Sequence, residues 1–408
     1  MIAVISMLFL LLFFNIAYSL RCLFKNNSDS FLNIYFFLNV LTAFYVMIPS
    51  ISSLILTRSL TGVSVDIVYN SAFYAIYFNA ILVLFTLLWS SFVNTSYLPK
   101  LKVINNGKIK LAFNSICLIV ASYAIFVLVL NVYDVISIFG DRAKQSALNE
   151  FFQLKYKINL ALYVTIIFSS CLSLCFNNRR YLFYLTPYVL FDVLLMGKLY
   201  LYMVLVSFCI ISAILDRKIN LKLISGIVII LLASVVFRTV LRSGEFQYVY
   251  LLQVLSEFTN TWEVTYLVQV ASDAQDFTET LIYSLFRILP SPYYYVFFGE
   301  YHSYTQISSS VNSLDYGLAG NIIAEAFAFK DNLVLAIYPF LFFFFFSLVG
   351  FLNKSKSILF RIIYILYAIY LLPIYRFGFF EFALYPIYLF LFLGLPLWVA
   401  NFIIKKDV

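Results

Sequence analysis

The sequence predicts an all-α polytopic membrane protein of about eleven transmembrane helices with one large loop on the outer side. Three observations carry that expectation. Apolar runs of about 20 residues recur along the chain, the length a helix needs to cross a bilayer core. Hydrophobic residues make up 63% and charged residues only 11%, against roughly 25% charge in soluble domains. The cations fall in short clusters between alternate runs, the pattern that orients a chain in a membrane. A formal charge of +8 spread in this way forms no single basic patch and gives no sign of a nucleic-acid partner.

The first run, Ile2 to Leu20, has no Lys or Arg ahead of it, and Arg21 and Lys25 follow it. A secretory signal needs its basic region first, so this run reads as an anchor with the N-terminus outside, despite Ala17-Tyr18-Ser19. Further runs follow at Phe31–Leu56, Ile67–Val93, Leu111–Asn131, Ile158–Phe176, Tyr181–Gly197, Leu199–Leu215, Leu221–Phe237, Leu333–Leu352, Ile358–Tyr375 and Phe382–Ile404. Eleven crossings place the C-terminus inside. Inner segments then hold sixteen basic residues against three acidic ones (+13), and outer segments eleven against fifteen (−4), with Asp192 inside a run. No shift of register separates the charges so cleanly. The expected division is 1–236 with eight helices, an outer loop 237–332, and 333–408 with three helices.

The pair Tyr181–Gly197 and Leu199–Leu215 is short. Each run gives about 25 Å of helix against a bilayer core of about 30 Å, and only Lys198 separates them. They read as a tight hairpin near the outer headgroups. Lys198 and Asp192 are then either intramembrane functional charges or a snorkelling lysine and a helix–helix hydrogen bond. The five cysteines lie in or beside runs or on the inner side, so no disulfide framework is expected. Cys171 and Cys175 share a helix face, which without a nearby histidine reads as packing. The run Phe342–Phe346 reads as lipid-facing bulk.

The outer loop 237–332 holds most of the acidic residues and the lone histidine, His302. Tyr248 to Val270 is apolar, but Glu257 and Glu263 make it a poor crossing helix, so it suits an interfacial one. Asp276-Phe277-Thr278-Glu279 has capping-box spacing and opens a helix from Phe277 to Leu289, stopped by Pro290 and Pro292. Asp273 and Asp276 read as caps rather than a metal pair, since no D-x-D spacing occurs here. Tyr293-Tyr294-Tyr295 and Phe297-Phe298 suit either an aromatic belt at the headgroups or stacking on sugar rings.

Arg238 and Arg242 are the strongest local signal. On a helix continuing past Phe237 they lie one turn apart, where like charges repel unless an anion sits between them. Guanidinium forks match phosphate oxygens. The plainer reading is snorkelling to outer headgroups, with Glu245 as a partner. Arg142, Lys198, Arg287 and Arg376 fall at the same outer face, Arg376 in the short loop Tyr375-Arg376-Phe377-Gly378-Phe379-Phe380-Glu381. Cations from so many segments suggest an anionic, membrane-anchored ligand, and a lipid pyrophosphate fits that best.

In this order of features the chain resembles the Wzy-type O-antigen (oligosaccharide repeat unit) polymerases of bacterial inner membranes. The features are about eleven to twelve crossings, Gly197-Lys198 in a tight hairpin, and arginines opening a large periplasmic loop. Arg287-Ile288-Leu289-Pro290, a glycine-bearing segment from Gly317 and Gly320 to Glu325, and Arg376 in the last short loop complete it. After the glutamate this chain has Phe329-Lys330-Asp331-Asn332 where many members have an aromatic and a glycine turn.

The resemblance implies a glycosyltransferase similar to the glycosyltransferase C superfamily, although the first outward loop holds only Asp66 and no acidic pair. Its substrates would be undecaprenyl-pyrophosphate-linked oligosaccharides, with no nucleotide sugar, metal or other cofactor. The growing chain would pass from its lipid pyrophosphate to a hydroxyl of the next unit. Arg142, Lys198, Arg238, Arg242, Arg287 and Arg376 would bind pyrophosphate, with Arg238 and Arg242 stabilising the leaving anion. Glu325 would be the base, ahead of Glu381 and His302. The expected partners are membrane lipids, a chain-length regulator and a flippase. An O-antigen ligase, with the same donor and another acceptor, and a polysaccharide flippase or transporter remain as alternatives.

Overall fold

The computed structural model describes residues 2–25, 32–56, 64–92, 107–137, 142–195, 199–216, 226, 229, 261–286, 320–394 and 396. Every regular element among them is helical. In chain order these are α1 (Ile2–Phe24), α2 (Ile34–Thr42), a π turn (Ala43–Met47), α3 (Ile48–Leu56), α4 (Val65–Phe92), α5 (Gly107–Leu130) and α6 (Val132–Ser137). Next come α7 (Arg142–Tyr156), α8 (Ile158–Cys175), a 3-10 helix (Arg179–Leu185), α9 (Thr186–Leu194) and α10 (Leu199–Asp216). The remainder are α11 (residues 261–270), α12 (Phe277–Phe286), α13 (Ile322–Ala328), α14 (Asn332–Leu352), α15 (Ile358–Phe377), α16 (Phe379–Phe382) and α17 (Tyr385–Leu393).

Eight helices among the described residues are long and apolar enough to cross a membrane, so the chain has the build of a multi-pass membrane protein. Each coincides with an expected run. Of the other three runs, Leu221–Phe237 lies outside the described residues apart from two positions. Phe382–Ile404 is represented by α17, nine residues long. Tyr181–Gly197 is not one helix. A 3-10 stretch occupies Arg179–Leu185, and Pro187, in the first turn of α9, begins a nine-residue helix. Proline fits there because a first-turn N–H has no helical partner to lose. The apolar composition of this run marked membrane depth without marking the break.

The chain forms two compact units. One comprises Met1–Ser96, Leu252–Phe351 and Tyr370–Tyr388; the other comprises Tyr97–Leu251, Leu352–Ile369 and Leu389–Val408.

In the first unit, polar side chains tie apolar helices together, which matters where water exclusion does not drive helix association. Asn15 on α1 donates to Asn79 Oδ1 on α4 (3.1 Å), and Asn39 on α2 donates to Thr86 Oγ1 on α4 (3.1 Å). The Tyr35 and Ser347 hydroxyls, on α2 and α14, meet at 2.6 Å. Two expectations are corrected in this unit. Phe342, Phe343 and Phe346 are fully buried, and among the five phenylalanines only Phe344 is classed as exposed. Phe343 packs on Phe78 and Phe85 of α4, and Phe342 on Phe379. Nor does the described part of Tyr248–Val270 lie on a surface. In α11, Trp262, Val264 and Val268 are buried, and the two valines pack against Ala324 and Ala328 of α13.

In the second unit α8 is buried along its length and packs with α5, the 3-10 helix and α10. Asp192, near the end of α9, accepts from the Leu201 N–H in the first turn of α10 at 2.6 Å. That bond joins the two short helices and satisfies an amide that helix geometry leaves without a partner. Cys171 and Cys175 are buried in α8, their sulfurs 3.6 Å apart, and both are free thiols. Among the described residues no cluster of three or more His, Cys, Asp or Glu is placed to hold a metal ion.

Candidate functional site

The site is built in the first unit around the turn from α15 to α16. α15 ends at Arg376 and Phe377, and Gly378 follows with φ 110° and ψ 150°. That region of backbone space is almost closed to residues with a Cβ, so glycine lets the helix break within one residue. The next two amides, of Phe379 and Phe380, point back into the protein. They need acceptors, because the first N–H groups of a helix have none within it.

The acceptor is Glu325. Its Oε2 accepts from the Phe379 N–H at 2.6 Å and its Oε1 from the Phe380 N–H at 3.1 Å. The Tyr338 hydroxyl, on α14, makes a short hydrogen bond to Oε2. The residue is 1% exposed. Burial pushes its carboxyl up to about 7 from 4.5. The hydrogen bonds from Tyr338 and the two amides pull the other way, and Glu381 adds to the rise. Desolvation wins because it opposes the charge itself, while three donors restore only part of what water supplied.

Local sequence explains how Glu325 reaches this place. Asn321 caps α13, its side-chain oxygen accepting from the Ile323 N–H at 2.9 Å. Its amide group donates to the Tyr45 carbonyl at 2.5 Å, in the π turn. One buried side chain thus starts α13 and ties it to the π turn between α2 and α3. Small residues Ala324 and Ala328 let α13 approach α11 closely. Beyond α13 the chain turns at Lys330, whose φ is 50°, and whose ammonium group donates to the Ala271 carbonyl. The Gln275 N–H donates to the Ala328 carbonyl at 2.8 Å. Asp276 then caps α12, accepting from the Glu279 N–H at 2.7 Å, as the capping-box spacing predicts.

Phe380 meets Phe277 and Phe329 edge to face, with centroids 5.4 and 5.8 Å away. These three rings and Phe379 border a cavity of about 750 Å³ that continues along α14 past Ile337, Leu341 and Leu348. Gln275, Asp276, Thr278 and Asp331 form its polar part.

Of the residues singled out from sequence, Glu325 and the Arg376 turn are brought together here. Arg376 is half-buried, its guanidinium 5.6 Å from the ring of Phe377. Arg142 begins α7, in the other unit. Lys198, Arg238, Arg242, Arg287 and His302 lie outside the described residues. Sequence reasoning missed Tyr338, Gly378 and the two phenylalanine amides. Tyr338 carried a faint signal: a phenol in a Phe-rich helix needs a partner for its hydroxyl when buried. No protein-family model, curated protein or solved structure matches the chain.

Proposed function

We propose that the chain is an O-antigen polymerase of the Wzy type, working at the periplasmic face of a bacterial inner membrane. It joins undecaprenyl-pyrophosphate-linked oligosaccharide repeat units. An acceptor hydroxyl attacks the anomeric carbon of the growing chain, and the bond from that carbon to the pyrophosphate oxygen breaks. The lipid pyrophosphate leaves with the bonding electrons, and the hydroxyl proton passes to a carboxylate. In this reading Arg376, with Arg142, Lys198, Arg238, Arg242 and Arg287, compensates the pyrophosphate charge, which is greatest on the leaving group. The reading calls for no cofactor. Glu325 and Glu381 are the two carboxylates near the turn. A flippase would supply the lipid-linked unit and a chain-length regulator would limit its growth.

The observation that carries the reading is the Arg376 turn. Arg376 lies three and four residues before two amides held by a buried carboxylate, and the two phenylalanines that carry those amides border a largely apolar cavity with a polar part. A pyrophosphate on a hydrocarbon tail combines the two chemistries such a place accommodates. The layout of apolar runs and outer-face cations supports the same ligand. The test is the lipopolysaccharide ladder of a deletion strain. Core carrying a single repeat unit is the expected result; bare core would assign the chain to ligation or flipping instead.

A further inference from the structure

Glu325 spends both carboxylate oxygens inside the protein. Oε2 receives the Tyr338 hydroxyl and the Phe379 N–H, and Oε1 receives the Phe380 N–H. A general base has to present an oxygen within about 3 Å of the proton it takes. Here the acceptor directions face three donors from α14 and α16, and the residue is 1% exposed.

We infer that Glu325 is a positioning residue: its carboxylate latches the α15–α16 turn through the Phe379 and Phe380 amides and the Tyr338 hydroxyl, and so sets where Arg376 stands. What Arg376 binds rests on the polymerase reading; the latch rests on geometry alone.

The turn is pinned from both sides. Before Arg376, the Tyr375 hydroxyl meets Thr42 Oγ1 on α2 at 2.7 Å. After it, Phe379 and Phe380 are held by Glu325. Between the two anchors lies Gly378, free to take many backbone conformations once released. The aromatic rings alone leave the direction of the two amides open, because edge contacts tolerate sliding. The carboxylate removes that freedom, since two adjacent amides converge on its two oxygens. A buried carboxyl is costly to leave without donors, so the latch and its burial require each other. Glu381, half-buried on the latched turn, is then the carboxylate left for the acceptor proton.

The test uses the full chain in lipid nanodiscs and measures amide exchange at Phe379 and Phe380. Glu325→Gln keeps the shape and one acceptor oxygen, but places an NH2 group against the second amide. Losing a charge-assisted bond should speed exchange at these two amides roughly ten- to hundredfold, with α4 and α14 unchanged. Tyr338→Phe removes one donor and leaves both amide bonds. It should speed exchange by about fivefold, and it stands in if the Gln variant fails to accumulate. In cells, Glu325→Gln should make reduced polymer rather than none, since the turn is loosened and no base has been removed. Unchanged exchange in both variants overturns the latch, whatever the chain polymerises. Wild-type exchange with polymer abolished also overturns it and makes Glu325 the base. Faster exchange in a chain whose deletion leaves polymer intact upholds the latch and rejects the polymerase reading.

Discussion

At Glu325 burial and hydrogen bonding act in opposite directions, and the balance makes a measurable pH dependence. The carboxyl is pushed up to about 7 in the folded protein from 4.5. Between those values the folded chain holds more of the proton than the unfolded chain does. The contribution of this group is therefore fully present below about pH 4.5 and is lost as pH rises through about 7. At about 1.4 kcal/mol for each unit, the change is on the order of 3 kcal/mol. The Gln variant has no such titration. The stability of wild type relative to Glu325→Gln should therefore decline between pH 4.5 and 7.5, measured by thermal unfolding in detergent. A difference that stays constant over that range would show a carboxyl with an ordinary pKa. Arg376 gives a second test at this scale. Lysine keeps the charge and loses the guanidinium fork. A charge-assisted hydrogen bond contributes about 1.5–3 kcal/mol, and about 1.4 kcal/mol is tenfold in rate. Arg376→Lys should thus lower polymer roughly ten- to hundredfold at matched protein level, and Arg376→Ala should lower it further. An arginine that only snorkels to headgroups would be replaced by lysine with little loss.

At the scale of elements, α14 shows why apolar composition located helices better than it phased them. Five consecutive phenylalanines carry no period, so nothing in the run itself says which ring faces inward. The buried face is set by neighbours on α4 and α16, Phe78 and Phe379 among them. Gly350 lies at one such contact. A Cβ built there would lie 2.7 Å from Trp89 Cη2, 2.9 Å from Trp89 Cζ2 and 3.1 Å from Ile34 Cγ2. Trp89 cannot easily withdraw, being flanked by Tyr35 at 5.5 Å and Phe351 at 4.8 Å. Gly350→Ala should therefore destabilise the fold by about 1–3 kcal/mol through overpacking. Gly107→Ala, with nothing within 4 Å of its added Cβ, is the control and should unfold as wild type does. Equal unfolding midpoints for the two variants would mean that α14 does not approach α4 so closely. Helix 261–270 was misplaced at a surface for a related reason. Glu257 and Glu263 argued against a crossing helix and so for an interfacial one, yet the Glu263 side chain is half-buried while Trp262, Val264 and Val268 are buried.

The candidate site was legible in its charges and illegible in its main chain. Glu325 and Arg376 stand out in sequence because ionisable residues are rare in so apolar a chain. Nothing in the letters Phe379 and Phe380 says that their amides will meet a carboxylate 54 and 55 residues earlier. Backbone donors are common to every residue, so contacts made through them leave no trace in composition or spacing.

For the whole molecule, the proposed chemistry depends on which side of the membrane the Glu325 region occupies. The eight apolar helices agree with the expected runs in position but carry no direction. Direction comes from charge: sixteen basic residues against three acidic on one set of segments, eleven against fifteen on the other. Cationic segments near membrane helices are retained on the cytoplasmic side, so the charge pattern predicts that the segment before α12 lies outside. The same pattern predicts that the Asn94–Lys110 segment lies inside. A pyrophosphate-linked oligosaccharide polymerised at the periplasmic face needs Arg376 and Glu325 on the outer side, with the loop 237–332. Alkaline phosphatase folds to an active form only where disulfides are made, and such bonds form in the periplasm. Fused after Ser272, an exposed position just before α12, it should be active. Fused after Asn105 it should be inactive, at comparable amounts of fusion protein. The reverse pair of results would place the turn, its arginine and its carboxylate in the cytoplasm. No periplasmic glycan transfer could then be assigned to them, whatever the latch does for the fold.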